Sequence, residues 1–277
     1  MKIKIVTDSS ADTLTLSDVD FDFTPLKIIT DKKEYVDNKT LDTYLMVNEL
    51  QNYKGRSSTS CPNAEDWLCA FGDAQYVFCI TITGTLSGAY NSALAAKNSY
   101  EEQYPDRRVF VFNSLSTGPE MRLVIDRVRQ LILEGKDFDS VCKEAVSYSK
   151  NTGLLFVLKS MKNLANNGRV SPITAKMAGL LGIRVVGKAS DKGDLQVLDK
   201  CRGEKSMQDS VISHLKESGL KLGKVIISHC FNPDSANALK ERILSEFKDV
   251  SVRMYNCRGL CGFYAEKGGL LIGYEKF

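Results

Sequence analysis

Residues 76–100 read YVFCITITGTLSGAYNSALAAKNSY, and their order decides the fold class. A run of β-branched and aromatic residues is followed by a loop of hydroxyls and glycines, and that loop by a helical pattern. The same order follows IKIVTD at 3–8 and RVFVFNS at 108–114. Three such units imply a parallel βα sheet. Ligands of open α/β sheets sit beyond the carboxyl ends of the strands. Three hydroxyl-rich segments fall there: TDSS at 7–10, TGTLSG at 83–88 and NSLSTG at 113–118.

A fourth hydroxyl cluster, GRSSTSCPNAEDW at 55–67, sets Ser57, Ser58, Thr59 and Ser60 ahead of Pro62 and an acidic helical start. Proline suits the first turn of a helix, and Glu65 and Asp66 suit the positive end of its dipole. Two readings are open. Ser60 or Cys61 caps the helix and its neighbours are polar loop, or the hydroxyls and helix start together hold an anionic oxygen.

Between the first and second units, KIIT and KEYV flank Asp31-Lys32-Lys33, which predicts a small hairpin insertion around 25–40, leading into a helix near Tyr44 to Asn52. The texture changes after Gly135. A helix from Asp139 to Lys150 precedes GLLFVLKSMKNLANNGRVSP, which starts strongly apolar and ends at a glycine stop. IRVVGKAS and LQVLDKC pair as a hairpin around Asp191-Lys192-Gly193. Helix, strand, helix and strand follow in MQDSVISHLKESG, KVIISHC, SANALKERILSEF and VSVRMYN. The expected organisation is an α/β (Rossmann-like) domain over 1–150 and an α+β or ferredoxin-like domain over 151–277.

The 277 residues are 43% apolar and 26% charged, with net charge +3, an ordinary globular balance that does not call for nucleic acid. No basic run or recognition motif adds to it. The start, MKIKIVTDSSADT, alternates and turns polar at once, so it reads as a first strand rather than a signal peptide. No apolar run is long enough for an integral membrane segment. The eight cysteines, several inside apolar runs, suit reduced thiols and a cytoplasmic location.

A serine or threonine nucleophile needs a base, and only His214 and His229 are available. His214 lies in a lysine-flanked amphipathic helix and His229 ends a strand, so no catalytic set is assigned. The loops match neither G-x-G-x-x-G nor G-x-x-x-x-G-K-[ST]. Cys257 and Cys261, in CRGLC, lack a third ligand nearby, so no metal or cofactor is expected. What remains is binding by neutral hydroxyls and backbone amides, with affinity drawn from the ligand's other end. At roughly 0.8 kcal/mol per buried methylene, about fifteen methylenes supply on the order of 12 kcal/mol before entropy costs. Leu154 to Leu158, Ile173, Met177, Leu180, Leu181 and Ile183 are candidates to line a tunnel, or plain core.

Taken in order, the motifs resemble the DegV family of bacterial fatty-acid-binding proteins. TDSSADT opens the chain, STSCPN is similar to the family's T-S-x-P-S, and ITGTLSGAYNSA to its L-S-G-T-Y-x-S-A. NGRVSP and DKCRG resemble its G-R-I and K-x-R-G elements. The resemblance implies two α/β domains with a long-chain fatty acid in a buried tunnel, its carboxylate held by Thr59 and Ser87. Ser58, Ser60 and Gly88 complete that ligand-binding set. It further implies a carrier that presents its fatty acid to a partner kinase subunit for phospholipid synthesis. Arg169 and Arg202 match family arginines, with acyl-phosphate or kinase contact and simple surface salt bridges both open to them.

The chain departs from the family at a C-terminal H-x-G-P-G segment, where it reads FYAEKGGLLIGY and Glu266 is expected near the histidine's place. Asn63 replaces the serine of T-S-x-P-S, and Ala89 the threonine of S-G-T-Y. Two other functions fit these departures: an enzyme acting on a small acyl or phosphorylated substrate through Cys61 or Ser87, and a lipid sensor that has lost the transfer step.

Overall fold

The computed structural model describes residues 2–176, 178 and 182–277. From the N-terminus run β1 (Ile3–Asp8), a 3-10 turn (Ser9–Ala11), β2 (Asp20–Thr24), β3 (Lys27–Thr30), β4 (Glu34–Val36) and α1 (Thr43–Asn52). Then follow β5 (Ser57–Ser60), α2 (Ala64–Phe71), β6 (Tyr76–Thr81), α3 (Ala89–Gln103), β7 (Arg108–Asn113), α4 (Gly118–Leu133) and α5 (Phe138–Ser149). Four strands form a parallel sheet in the order β2-β1-β6-β7. Its central strands β1 and β6 are buried almost throughout, as continuous apolar runs in a sheet covered on both faces must be.

The hairpin expected around 25–40 is β3 and β4, antiparallel. The hydroxyl run is not a polar loop: Ser57 to Ser60 is strand β5, paired antiparallel with β3 so that Thr59 stands opposite Ile28. Neither Ser60 nor Cys61 caps the next helix. Asn63 does, accepting from the Asp66 N–H while the Asp66 carboxylate accepts from the Asn63 N–H. This reciprocal pair satisfies two otherwise orphaned donors, so asparagine at 63 supplies the cap that a serine would.

The second half contains β8 (Thr152–Leu158), α6 (Lys162–Asn166), α7 (Pro172–Ala175), β9 (Ile183–Ala189), β10 (Leu195–Arg202) and α8 (Gly203–Glu217). It continues through β11 (Leu222–His229), α9 (Pro233–Glu246), β12 (Asp249–Asn256), α10 (Gly259–Ala265) and β13 (Leu270–Glu275). The sheet order is β10-β9-β8-β13-β11-β12, with β11 and β12 parallel and the other pairs antiparallel. This six-stranded mixed sheet is α+β and not ferredoxin-like. Its last strand in sequence sits between β8 and β11, where Gly273 matters: a Cβ there would lie 2.6 Å from the Glu120 nitrogen at the start of α4.

Successive residues of a strand face opposite sides of the sheet, and β8 shows the consequence. Leu155 and Val157 join the core under α8 and α9. Leu154, Phe156 and Leu158 join a core on the other side, with Ile28, Met46 and Val47 from the hairpin and α1, and Phe263 from α10. The insertion from the first half therefore covers the inner face of the second sheet. The cavity described next lies on that face.

Candidate ligand-binding site

Three parts of the chain enclose a cavity of about 360 Å³. Ile82, Leu86, Ser87, Gly88 and Thr117 come from the carboxyl ends of β6 and β7. Leu154, Phe156, Leu158, Leu195 and Leu271 come from the second sheet. Leu164, Leu260, Cys261, Tyr264 and Ala265 come from α6 and α10. Leu26 and the segment Thr59 to Cys61 complete the wall, together with Arg169. Most of this lining is apolar.

Thr59 Oγ1 and Tyr264 Oη lie 2.7 Å apart and share a hydrogen bond. The Arg169 guanidinium sits 5.8 Å from the centre of the Tyr264 ring, and its Nε donates to the Leu86 carbonyl at 3.2 Å, one residue before Ser87. Arg169 thus links the Thr59–Tyr264 pair to the Ser87 loop. Its Nη1 donates to the Asn167 carbonyl, and among the described residues no carboxylate pairs with it. A half-buried guanidinium bonded only to neutral carbonyls retains donors and a full positive charge. Ser87 Oγ accepts from the Ala89 N–H at 3.3 Å, which leaves its own proton free to donate. Burial raises the Tyr264 phenol above its ordinary value, with Thr59 and Arg169 acting against that rise, so Tyr264 is a neutral donor at physiological pH.

Of the residues singled out from sequence, Thr59, Ser60, Ser87, Gly88 and Arg169 are brought to this cavity. Ser58 and Arg202 are not among its lining. Ser58 is exposed, as the alternation of β5 requires when Thr59 faces inward; Arg202 ends β10 in solvent. Leu154, Phe156 and Leu158 line the wall, but Leu155 and Val157 point into the opposite core. Ile173 is 76% exposed, and Ile183 starts β9 without lining the cavity. Met177, Leu180 and Leu181 lie outside the described residues. Glu266 is not in the cavity wall either, since its Oε1 accepts from the Asn163 N–H at 3.1 Å.

Tyr264 is the residue the sequence reading passed over. It lies two positions before Glu266, in the stretch FYAEKGGLLIGY, and its partner Thr59 is 205 residues away in sequence. No spacing rule links such a pair. Behind the wall, Asp8 is fully buried and Asp12 half-buried, and loss of solvent around the carboxyls pushes them up to about 6 and about 8. Asp8 Oδ2 accepts from the Ile82 N–H at 2.7 Å, fixing the loop that reaches Ser87. Neither histidine lines the cavity: His214 on α8 pairs with Asp199 of β10, and His229 at the end of β11 is held below its usual value by burial. Among the described residues, no group of three or more His, Cys, Asp or Glu side chains is placed to hold a metal. No described helix is long and apolar enough to cross a membrane.

The profile of the DegV family, described as uncharacterised proteins, matches residues 2–276. The chain belongs to the DegV family. A DegV domain-containing protein of Streptococcus pyogenes serotype M1 is 40% identical over 279 residues, covering 99% of this chain and all of the relative. Among solved structures, a DegV family protein from Eubacterium eligens loaded with heptadecanoic acid superimposes with a TM-score of 0.97 at 40% identity, over 99% of this chain and 100% of the other. The fatty acid kinase B3 protein of Streptococcus pneumoniae, loaded with linoleic acid, gives 0.98 at 38% identity and covers both chains fully. The parallel N-terminal sheet and mixed C-terminal sheet are the DegV fold.

Proposed function

We propose that this DegV protein binds a long-chain fatty acid and acts as its carrier. The observation that carries the reading is the pairing of an aliphatic cavity with one polar corner, where Arg169 has no carboxylate partner among the described residues. A fatty acid supplies both halves, an anion for Arg169 and a chain for the leucines. Solved relatives at 38–40% identity hold heptadecanoic and linoleic acids, which supports the same ligand class here.

In this reading Thr59, Ser87 and Tyr264 donate to the carboxylate and Arg169 balances its charge, with Ser60 and Gly88 shaping the corner. Hydrogen bonds to a charged carboxylate contribute roughly 1.5–3 kcal/mol each, while about fifteen buried methylenes at roughly 0.8 kcal/mol each contribute on the order of 12 kcal/mol. The chain therefore supplies most of the affinity. The fatty acid kinase name of one relative supports presentation of the carboxylate to a kinase subunit, with Arg202, exposed at the end of β10, as a candidate contact. No histidine in the cavity wall offers Ser87 or Cys61 a base, so a carrier fits better than an acyl-transferring enzyme. No cofactor is needed for such a role. The two sheets are assigned to two domains that divide near residue 150, and the eight free cysteines support a cytoplasmic location.

The test is titration with a fluorescent fatty acid. Thr59→Ala combined with Ser87→Ala is expected to weaken binding about tenfold or more, from two lost hydrogen bonds. Unchanged retention by a folded double variant overturns the assignment of the corner.

A further inference from the structure

Tyr264 stands on α10, a helix of seven residues. Helices that short have little stability of their own in water, because the first turn orders several residues for a single hydrogen bond. Leu260, Cys261, Tyr264 and Ala265 nevertheless form one cavity wall, as residues one turn apart on a helix do. What fixes the helix comes from the other end of the chain. Asp37, fully buried just after β4, accepts from the Gly259 N–H at 3.0 Å and the Leu260 N–H at 2.9 Å, one on each carboxyl oxygen. Asp12 Oδ1 accepts from the Arg258 N–H at 2.8 Å, and Arg258 Nη2 donates to the Asn38 carbonyl at 2.7 Å.

The absence of a side chain at 259 is part of the same seat. A Cβ on Gly259 would lie 2.5 Å from Asp37 Cγ and 2.6 Å from its Oδ1, distances that no Cβ tolerates. Only glycine lets the carboxylate close onto both N–H groups. The cap and the close approach are separate features of the sequence, and both put the start of α10 in one place.

We propose that Asp37 is a positioning residue for head-group recognition: by clamping the first turn of α10 it sets Tyr264 Oη against Thr59 Oγ1 and toward the carboxylate of the ligand. This rests on the carrier reading for its ligand, and on geometry alone for the placement of Tyr264. Without the clamp the tail-binding wall of the second sheet stays, since β8 and β13 hold it. The phenol loses its fixed angle.

The experiment measures oleic acid and oleyl alcohol binding by the full chain in wild type, Asp37→Asn, Gly259→Ala, Tyr264→Phe and the Asp37→Asn/Tyr264→Phe double variant. Asp37→Asn keeps one acceptor and turns the other into a donor facing an N–H; Gly259→Ala leaves Asp37 intact but pushes it away. Each is expected to weaken oleic acid about tenfold while leaving the alcohol within about twofold. In the Tyr264→Phe background, Asp37→Asn is expected to add no further loss, as for residues acting through one contact. Additive losses, or equal losses for acid and alcohol, overturn the proposal.

A ligand-free arm separates it from the carrier reading. With tyrosine labelled at Cζ, the Tyr264 carbon resonance is expected to move in Asp37→Asn and Gly259→Ala in the direction it moves in Thr59→Val. A resonance that stays in place overturns the positioning role whether or not the protein binds oleic acid. Failure of the wild type to bind the acid overturns the carrier reading alone.

Discussion

Replacing Arg169 by methionine removes the cation from the polar corner while keeping an unbranched apolar stem of similar reach. In the structure this guanidinium donates to the carbonyls of Leu86 and Asn167 and lies over Tyr264. Neither carbonyl carries charge, so the positive charge is available to a ligand. A hydrogen bond to a charged group contributes about 1.5–3 kcal/mol, and the Arg169→Met variant should lose that amount for a fatty acid, or about 10- to 150-fold in affinity. For the matching fatty alcohol the expected change is within about threefold, because its hydroxyl carries no charge for the guanidinium to balance. Isothermal titration with oleic acid and oleyl alcohol, on proteins matched by circular dichroism, reads both numbers. Equal losses for acid and alcohol would mean that Arg169 only supports the wall, and an undiminished affinity for the acid would place the carboxylate elsewhere.

Further outcomes follow from the buried carboxyl and the accessible thiol. Burial pushes Asp12 up to about 8 from an unfolded value near 3.8, so the folded state binds this proton more tightly. Its contribution is then fully present below pH ~4 and is lost as pH rises toward ~8, by an amount on the order of 5 kcal/mol at most. Asp12→Asn, which mimics the protonated acid and tolerates its left-handed backbone, should exceed the wild type by about 1–2 kcal/mol in urea unfolding at pH ~5 and by a wider margin at pH ~8.5. A constant difference across that range contradicts the assignment. Cys61 and Cys69 are both exposed, but only Cys61 lines the cavity. Oleic acid should slow alkylation of Cys61 by iodoacetamide severalfold and leave Cys69 unchanged, read by mass spectrometry of peptides. Equal rates with and without the acid would remove the ligand from that wall.

Much of this fold is legible in local sequence. Strand, loop and helix repeat visibly at 76–100, and the turns at 31–33 and 191–193 announce their hairpins, because turn chemistry and periodicity are local properties. The misreadings are of another kind. Ser57 to Ser60 carries no apolar residue to mark it as a strand; it is one because β3 offers it a partner. The second sheet takes β13 into its middle, a pairing between distant segments that periodicity does not encode. The candidate site divides the same way. Its hydroxyl loops stand at strand ends where the sheet rule expects a ligand, whereas Tyr264 gains its meaning from a contact across 205 residues. Glu266, two residues on, is drawn away by the Asn163 backbone, which no count of charges foretells.

The central claim is that the protein carries a fatty acid, and native mass spectrometry of the purified protein, followed by analysis of an organic extract, tests it most directly. The account predicts one fatty acid per chain, present on purification or taken up when added, released into the extract as the free acid. A chain that stays empty after exposure to saturated and unsaturated long-chain acids would contradict it.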